Sequence, residues 1–181
     1  MARCIFLTGR PGVGKTTVVL RAVELLRSRG LKVGGMISRE LREGGARVGF
    51  EIVDILTGRR GILAHVRLSG GPRVGKYTVN LKDLDEVGVA AILNAVKECD
   101  VIVIDEVGKM ELFSPRFVEA VERALRSGKP VLGTVHLRAT HPLARRIREG
   151  GYPDLKVIMV TLENRTKLPR LIAEELAGAR A

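Results

Sequence analysis

"MARCIFLTGRPGVGKTT", residues 1–17, sets an apolar run directly against a loop of glycines and a proline that ends in a lysine and two threonines. The run around Cys4–Thr8 reads as a strand. The stretch after the loop, "KTTVVLRAVELLRSRG" from Lys15 to Gly30, carries apolar residues at helical spacing and stops at a glycine. Between them Gly9, Arg10, Pro11, Gly12, Val13, Gly14, Lys15 and Thr16 fit the pattern G-x-x-x-x-G-K-[ST] without a mismatch. The residue types follow from the chemistry. Glycines let successive backbone N–H groups turn inward onto phosphate oxygens. The helix that starts at the end of the loop directs its positive dipole at the same anion. Lys15 has the reach for β- and γ-phosphates, Thr16 offers a hydroxyl to Mg²⁺, and Thr17 falls near the α-phosphate.

Working outward, a second strand is expected near Lys32–Ser38. "RVGFEIVDILTGRRGILAHV" then reads as an antiparallel hairpin, with arms near 47–54 and 61–66, and the glycine-rich "RLSGGPRVGKYTVNL" as a loop. "EVGVAAILNAVKE" has a helical pattern. "DVIVIDE" is an apolar strand ending in two acids. Ser114 and Pro115 suit the N-cap and first position of a helix that stops at Gly128. "PVLGTVH", "PLARRIREGG", "KVIMVTL" and "KLPRLIAEELA" continue the alternation of strand and helix. The expectation is a single α/β domain over residues 1–181. Its sheet is mostly parallel with helices on both faces, and a hairpin insertion spans about 40–80.

Asp105 and Glu106 stand where the "VIVIDE" strand emerges, about 90 residues after the loop. Ligands of open α/β sheets lie beyond the carboxyl ends of the strands, so Asp105 is placed near Mg²⁺, through a water. A second acid beside the metal-side Asp marks the group of P-loop ATPases with an extra strand between the phosphate-loop strand and the Asp strand. In that arrangement Glu106 aligns or deprotonates a water for attack on the γ-phosphorus. "VLGTVH" becomes the inserted strand, and Thr134 and His136 at its end become candidate sensors of that water. Plainer readings are a turn acid for Glu106, a strand residue for Thr134 and an ordinary hydrogen-bonded His136.

Composition narrows the class. The net charge is +11 with a pI near 10.4, but no run of five basic residues occurs and aromatics are only 3%. Stacking platforms for single strands are therefore scarce, and nucleic acid is a possible partner that the sequence does not favour. No glutamine and three asparagines, with 28% charged residues, suit a heat-loving source or a biased genome. Cys4 and Cys99 show no metal spacing and are expected as small apolar residues at the starts of buried strands. No stretch approaches the ~20 apolar residues of a membrane helix, and "CIFL" is too short for a signal peptide. The cytoplasm is the expected location, with no membrane and no obligate protein partner evident.

"GRPGVGKTT", "RVGFEIVD", "GRRGILAHV", "VGKYTVN", "VIDEVGKMELFS", "GTVH" and "ENR" together, in this order, resemble the small nucleoside-triphosphatases first recognised in thermophiles, which have a human relative. The resemblance covers nearly the whole chain. It implies a three-layer P-loop NTPase fold and Mg²⁺-dependent hydrolysis of NTPs to NDPs with little base selectivity. It also implies nucleotide binding by Gly9–Thr16, metal help from Asp105 and catalysis by Glu106 with Lys15. Lys109 and Glu111 fall inside the shared motif: Lys109 either neutralises phosphate charge or ties the loop to Glu111. Asn164 and Arg165 follow the last strand, where a base or ribose could lie; the alternative is a helix cap with a solvated arginine. "GGMISRELREGG" departs from the family's aromatic and acidic stretch near the second strand. The rivals are a small nucleotide or metabolite kinase, with the hairpin as acceptor site, and a nucleic-acid-stimulated ATPase.

Overall fold

In the computed structural model, which describes residues 2–179, nine strands form one sheet in the order β5-β6-β4-β3-β2-β7-β8-β1-β9. The strands of the parallel part are β1 (Cys4–Thr8), β2 (Val33–Glu43), β7 (Val101–Val107), β8 (Val131–Val135) and β9 (Leu155–Met159). β8 pairs in parallel with both β1 and β7, so a strand does separate the loop strand from the Asp–Glu strand. β1 and β8 are buried from end to end, which is why "CIFLT" and "VLGTV" are continuous apolar runs rather than alternating ones.

Helices cover both faces. α1 (Lys15–Ser28) and α6 (Leu168–Gly178) pack on the face that receives Ile5 and Leu7 of β1. α3 (Ala90–Glu98), α4 (Pro115–Arg126) and α5 (Pro142–Arg148) pack on the face that receives Cys4 and Phe6. The period-two alternation of β1 thus feeds two separate cores. A one-turn helix α2 (Leu81–Asp83) leads through a π-helical stretch, Leu84–Val89, into α3. Both prolines placed at helix starts from sequence, Pro115 and Pro142, do begin helices; their preceding residues, Ser114 and His141, accept hydrogen bonds from the amides of Phe117 and Leu143.

Three local expectations change. β2 is 11 residues long, not seven, because it runs on past Met36 to pair antiparallel with β3 (Ala46–Asp54). Only Val33–Met36 lie beside β7, so the rest of β2 overhangs the parallel sheet. The glycine-rich "loop" contains a small hairpin, β5 (Arg73–Val74) and β6 (Tyr77–Val79), and β6 adds to β4 (Arg60–His65). The insertion is therefore a continuation of the main sheet. Cys4 starts β1 as expected, but Cys99 caps α3 two residues before β7; both are buried and free.

Candidate active site

The site lies at the carboxyl ends of β1, β7 and β8. Gly9, Gly12 and Gly14 all adopt positive φ, at 146°, 80° and 105°, which a residue with a Cβ would strain to reach. Val13 is 5% exposed and anchors the loop into the core beneath it, while Arg10, Pro11 and Gly12 are exposed. Gly14 is the left-handed residue from which α1 starts, so the free amides at the head of α1 face the space above the loop. Lys15 Nζ donates to the carbonyls of Gly9 and Arg10, at 3.0 and 3.1 Å, and so spans the loop. Thr17 is exposed at the first turn of α1 and lines the same cavity.

Asp105 joins three elements. Its Oδ2 accepts from Thr16 Oγ1 of α1 at 2.8 Å, and its Oδ1 accepts from Thr134 Oγ1 of β8 at 2.6 Å. Burial pushes its pKa up, opposed first by the hydrogen bonds from Thr134 and Thr16 and then by the charge of Lys15. Thr134, expected as a sensor of the attacking water, is completely buried, and its hydroxyl is spent on the Asp105 carboxylate. The pairing of β7 with β8 slips between Ile104 and Val107. Such an irregularity frees successive side chains from strict alternation. Asp105 and Glu106 both line the cavity in consequence. The Asp105–Glu106 peptide is cis.

Glu106 is half-buried. Its pKa is pushed up to about 7, chiefly by burial and then by the neighbouring Asp105, with Lys15 pulling the other way. Glu111 completes an acidic cluster. It is 3% exposed, and burial, followed by the charge of Glu106, drives its pKa well above the usual carboxylate range. Gly108 sits between the two glutamates: a Cβ there would stand 2.8 Å from Glu106 Oε1 and 2.9 Å from Glu111 Oε1. The sequence reading left Glu111 as a partner for Lys109. In the fold Lys109 is exposed on the cavity wall and pairs with neither acid among the described residues. The available signal was a lone acid between Met110 and Leu112 in an otherwise apolar stretch.

His136 follows β8 and lines the cavity. Its amide donates to Val107 O, its Nδ1 accepts from the amide of Arg138, and its carbonyl accepts from Arg148. Burial and the positive charges of Lys109, Lys15, Arg148 and Arg138 lower its pKa, so the ring is neutral at physiological pH. Arg146 of α5 is committed elsewhere: it stacks on Tyr152 at 4.0 Å and donates to Gly151 O.

On the opposite side, Arg165 crosses the loop. Its Nη1 donates to Val13 O at 3.3 Å, and its side chain passes 3.7 Å from the position a Gly14 Cβ would take. Asn164 does not project to the site. Its side chain accepts from the amide of Thr161 and donates to Met159 O, folding the turn that carries Arg165 there. It does not cap α6, whose N-cap residue is Lys167.

Comparison with known proteins agrees with this geometry. The profile of a family described as NTPase matches residues 4–173. The nucleoside-triphosphatase THEP1 of Thermofilum pendens is 56% identical over 98% of this chain and 97% of its own length. The human cancer-related nucleoside-triphosphatase is 43% identical, with 93% of each chain covered. The crystal structure of THEP1 from Aquifex aeolicus superposes with a TM-score of 0.84 at 34% identity, covering 96% of this chain and 98% of that one. The solution structure of the human protein gives 0.81 at 42% identity, covering 99% and 100%. A phosphate loop, an Asp–Glu strand end and an inserted strand in one cavity, matched over nearly the whole length, make this chain a member of the NTPase family.

Proposed function

We propose that the protein hydrolyses nucleoside 5′-triphosphates (ATP, GTP, CTP, UTP and TTP) to the diphosphate and phosphate, with nucleoside diphosphates as slower substrates. The observation that carries this reading is Glu106. It lines the same cavity as the phosphate loop, next in sequence to the acid that binds Thr16, with a pKa raised to about 7. A base poised near neutrality suits the deprotonation of water.

The loop amides and Lys15 hold the β- and γ-phosphates. Thr16 and Asp105 are the residues that would hold Mg²⁺, Asp105 through a water. They fit that ion: both offer hard oxygen atoms, and they bond to each other at 2.8 Å. Bound there, Mg²⁺ would supply charge neutralisation to the phosphate oxygens. Thr134 keeps the Asp105 carboxylate turned toward Thr16. The water oxygen forms its bond to the γ-phosphorus as the bridging P–O bond breaks, and Glu106 takes the proton. Arg165, held over the loop by Val13 O, is the residue proposed to stack on a base face without reading its edge, in keeping with low base selectivity. Arg146 and Arg148 of α5 are held by Gly151 and His136, and none of the α5 arginines lines the cavity, so no arginine finger is assigned and slow turnover is expected.

Glu106→Gln is the test. The variant should bind ATP and Mg²⁺ with near-normal affinity while kcat falls about 10²–10³-fold, the scale of losing one in-site group. Retention of more than about half of wild-type kcat would remove Glu106 from the chemistry. The same assay run with RNA and DNA at low salt checks the nucleic-acid rival, which requires stimulation. Among the described residues no helix is long and apolar enough to cross a membrane.

A further inference from the structure

The cavity is larger than its phosphate-loop half. It measures about 590 Å³, within the range that encloses a small organic molecule, and continues past Glu106 to the overhanging part of the sheet. That overhang exists because only the first four residues of β2 pair with β7, and the rest of β2 pairs with β3 alone. Its wall combines two chemistries. Phe50, Leu63, Val74 and Met110 supply apolar surface. Arg39 and Arg47 supply positive charge.

The aromatic part is unusual for this chain, which has four Phe and two Tyr in all. Phe50 is only half-buried and meets Tyr77 edge-to-face at 5.3 Å between ring centres. The Arg47 guanidinium lies 5.2 Å from the Phe50 ring centre, held by Tyr77 Oη at 2.8 Å and Glu40 at 3.2 Å. Arg47 is thus fixed and charge-compensated, a rigid rim beside an aromatic face. Arg39 is exposed to the cavity and enters no hydrogen bond or ion pair among the described residues. An unpaired guanidinium beside a half-open aromatic face selects a ligand with a flat ring and an anionic group.

We propose that this half of the cavity is a second binding site, for a small molecule with a planar ring and an anionic group, of which nucleoside monophosphates are the representative class. The site is the part of the cavity lined by Arg39, Arg47, Phe50, Leu63 and Val74. Phe50 takes the ring and Arg39 the anion. The proposal rests on the assignment of the phosphate loop as the triphosphate site, because that assignment makes the remaining half a separate compartment.

The experiment is calorimetry with AMP, GMP, CMP and UMP, each titrated into protein already saturated with Mg²⁺ and a non-hydrolysable triphosphate analogue. At least one monophosphate should bind without displacing the analogue. Phe50→Leu and Arg39→Met should each weaken it about tenfold and leave the analogue's affinity unchanged, as expected for one stacking or charge-assisted contact. Arg39 is exposed and Phe50→Leu keeps an apolar side chain, so both variants should fold, Phe50→Leu with a slightly lower Tm from the lost ring contacts. No binding of any of the four with the loop filled, binding that both variants leave unaltered, or competition with the analogue would each overturn the second site. Failure of the hydrolase reading would show separately, as wild-type protein that neither binds the analogue nor releases phosphate from ATP.

Discussion

Three carboxyl groups share one buried end of the cavity; burial raises the pKa of each, and a neighbouring carboxylate adds to it for Glu106 and Glu111. Asp105 has two hydroxyl donors to stabilise its charge, whereas Glu111 has only backbone amides to offset its burial. The consequence can be read as stability. The folded protein favours neutral Glu106, with a pKa of about 7 against a reference of 4.5. Its contribution is therefore fully present below pH 4.5 and is lost as pH rises to about 7. A shift of that size corresponds to about 3 kcal/mol. In nucleotide-free protein with Mg²⁺ chelated, Glu106→Gln should gain stability over wild type progressively across that window. Denaturant titration at pH 4.5, 6 and 7.5 would check it; a difference that does not change with pH would contradict the burial of that carboxylate. Gly108 belongs to the same cluster. Gly108→Ala must displace Glu106 or Glu111, because the added carbon would stand under 3 Å from both carboxylates. Its expected signature is a fall in kcat of about tenfold or more with little change in affinity for a non-hydrolysable triphosphate analogue.

At the scale of elements, the site depends on how α4 begins. Ser114 is 1% exposed; its Oγ accepts from the Phe117 amide at 3.1 Å and donates to Asp85 Oδ1 at 2.5 Å. One hydroxyl thus caps α4 and ties it to the π-helical stretch before α3, just after the turn that carries Lys109, Met110 and Glu111. Ser114→Ala should destabilise the fold by about 2 kcal/mol, the upper end for a lost cap, because the half-buried Asp85 carboxylate loses its hydroxyl donor as well. A urea titration measures it; a loss below about 0.5 kcal/mol would mean the cap is redundant. The cap was visible in the sequence as Ser-Pro before an amphipathic run. The second bond was not, because Asp85 is 29 residues away.

For the whole molecule, the excess of positive charge acts on encounter rather than on shape. With a net charge of +11 and an anionic substrate, kcat/KM for ATP should fall about tenfold between roughly 0.05 and 0.5 M salt while kcat changes little. Steady-state kinetics across that range test it; a salt-independent kcat/KM would show that the surface charge does not steer the nucleotide. What was legible in the sequence is what local chemistry dictates. The loop needs glycine where φ is positive and lysine where phosphate is met. Helices announce themselves by spacing, and buried strands by unbroken apolar runs. Those signals placed Gly9–Thr16 and Asp105 together, while β8 between β1 and β7, with Thr134 at its end, followed from the likeness of the Asp105–Glu106 pair to one group of P-loop ATPases. What only the tertiary structure decided depends on partners distant in the chain. β2 overhangs the sheet because β3 pairs with it beyond the reach of β7. Glu111 is buried because α4 and the turn before it close over it. Asn164 is spent on its own turn while Arg165 crosses to the loop. A residue's conformation is a property of its neighbours in sequence, whereas its burial and its charge state are set by whatever the fold brings against it.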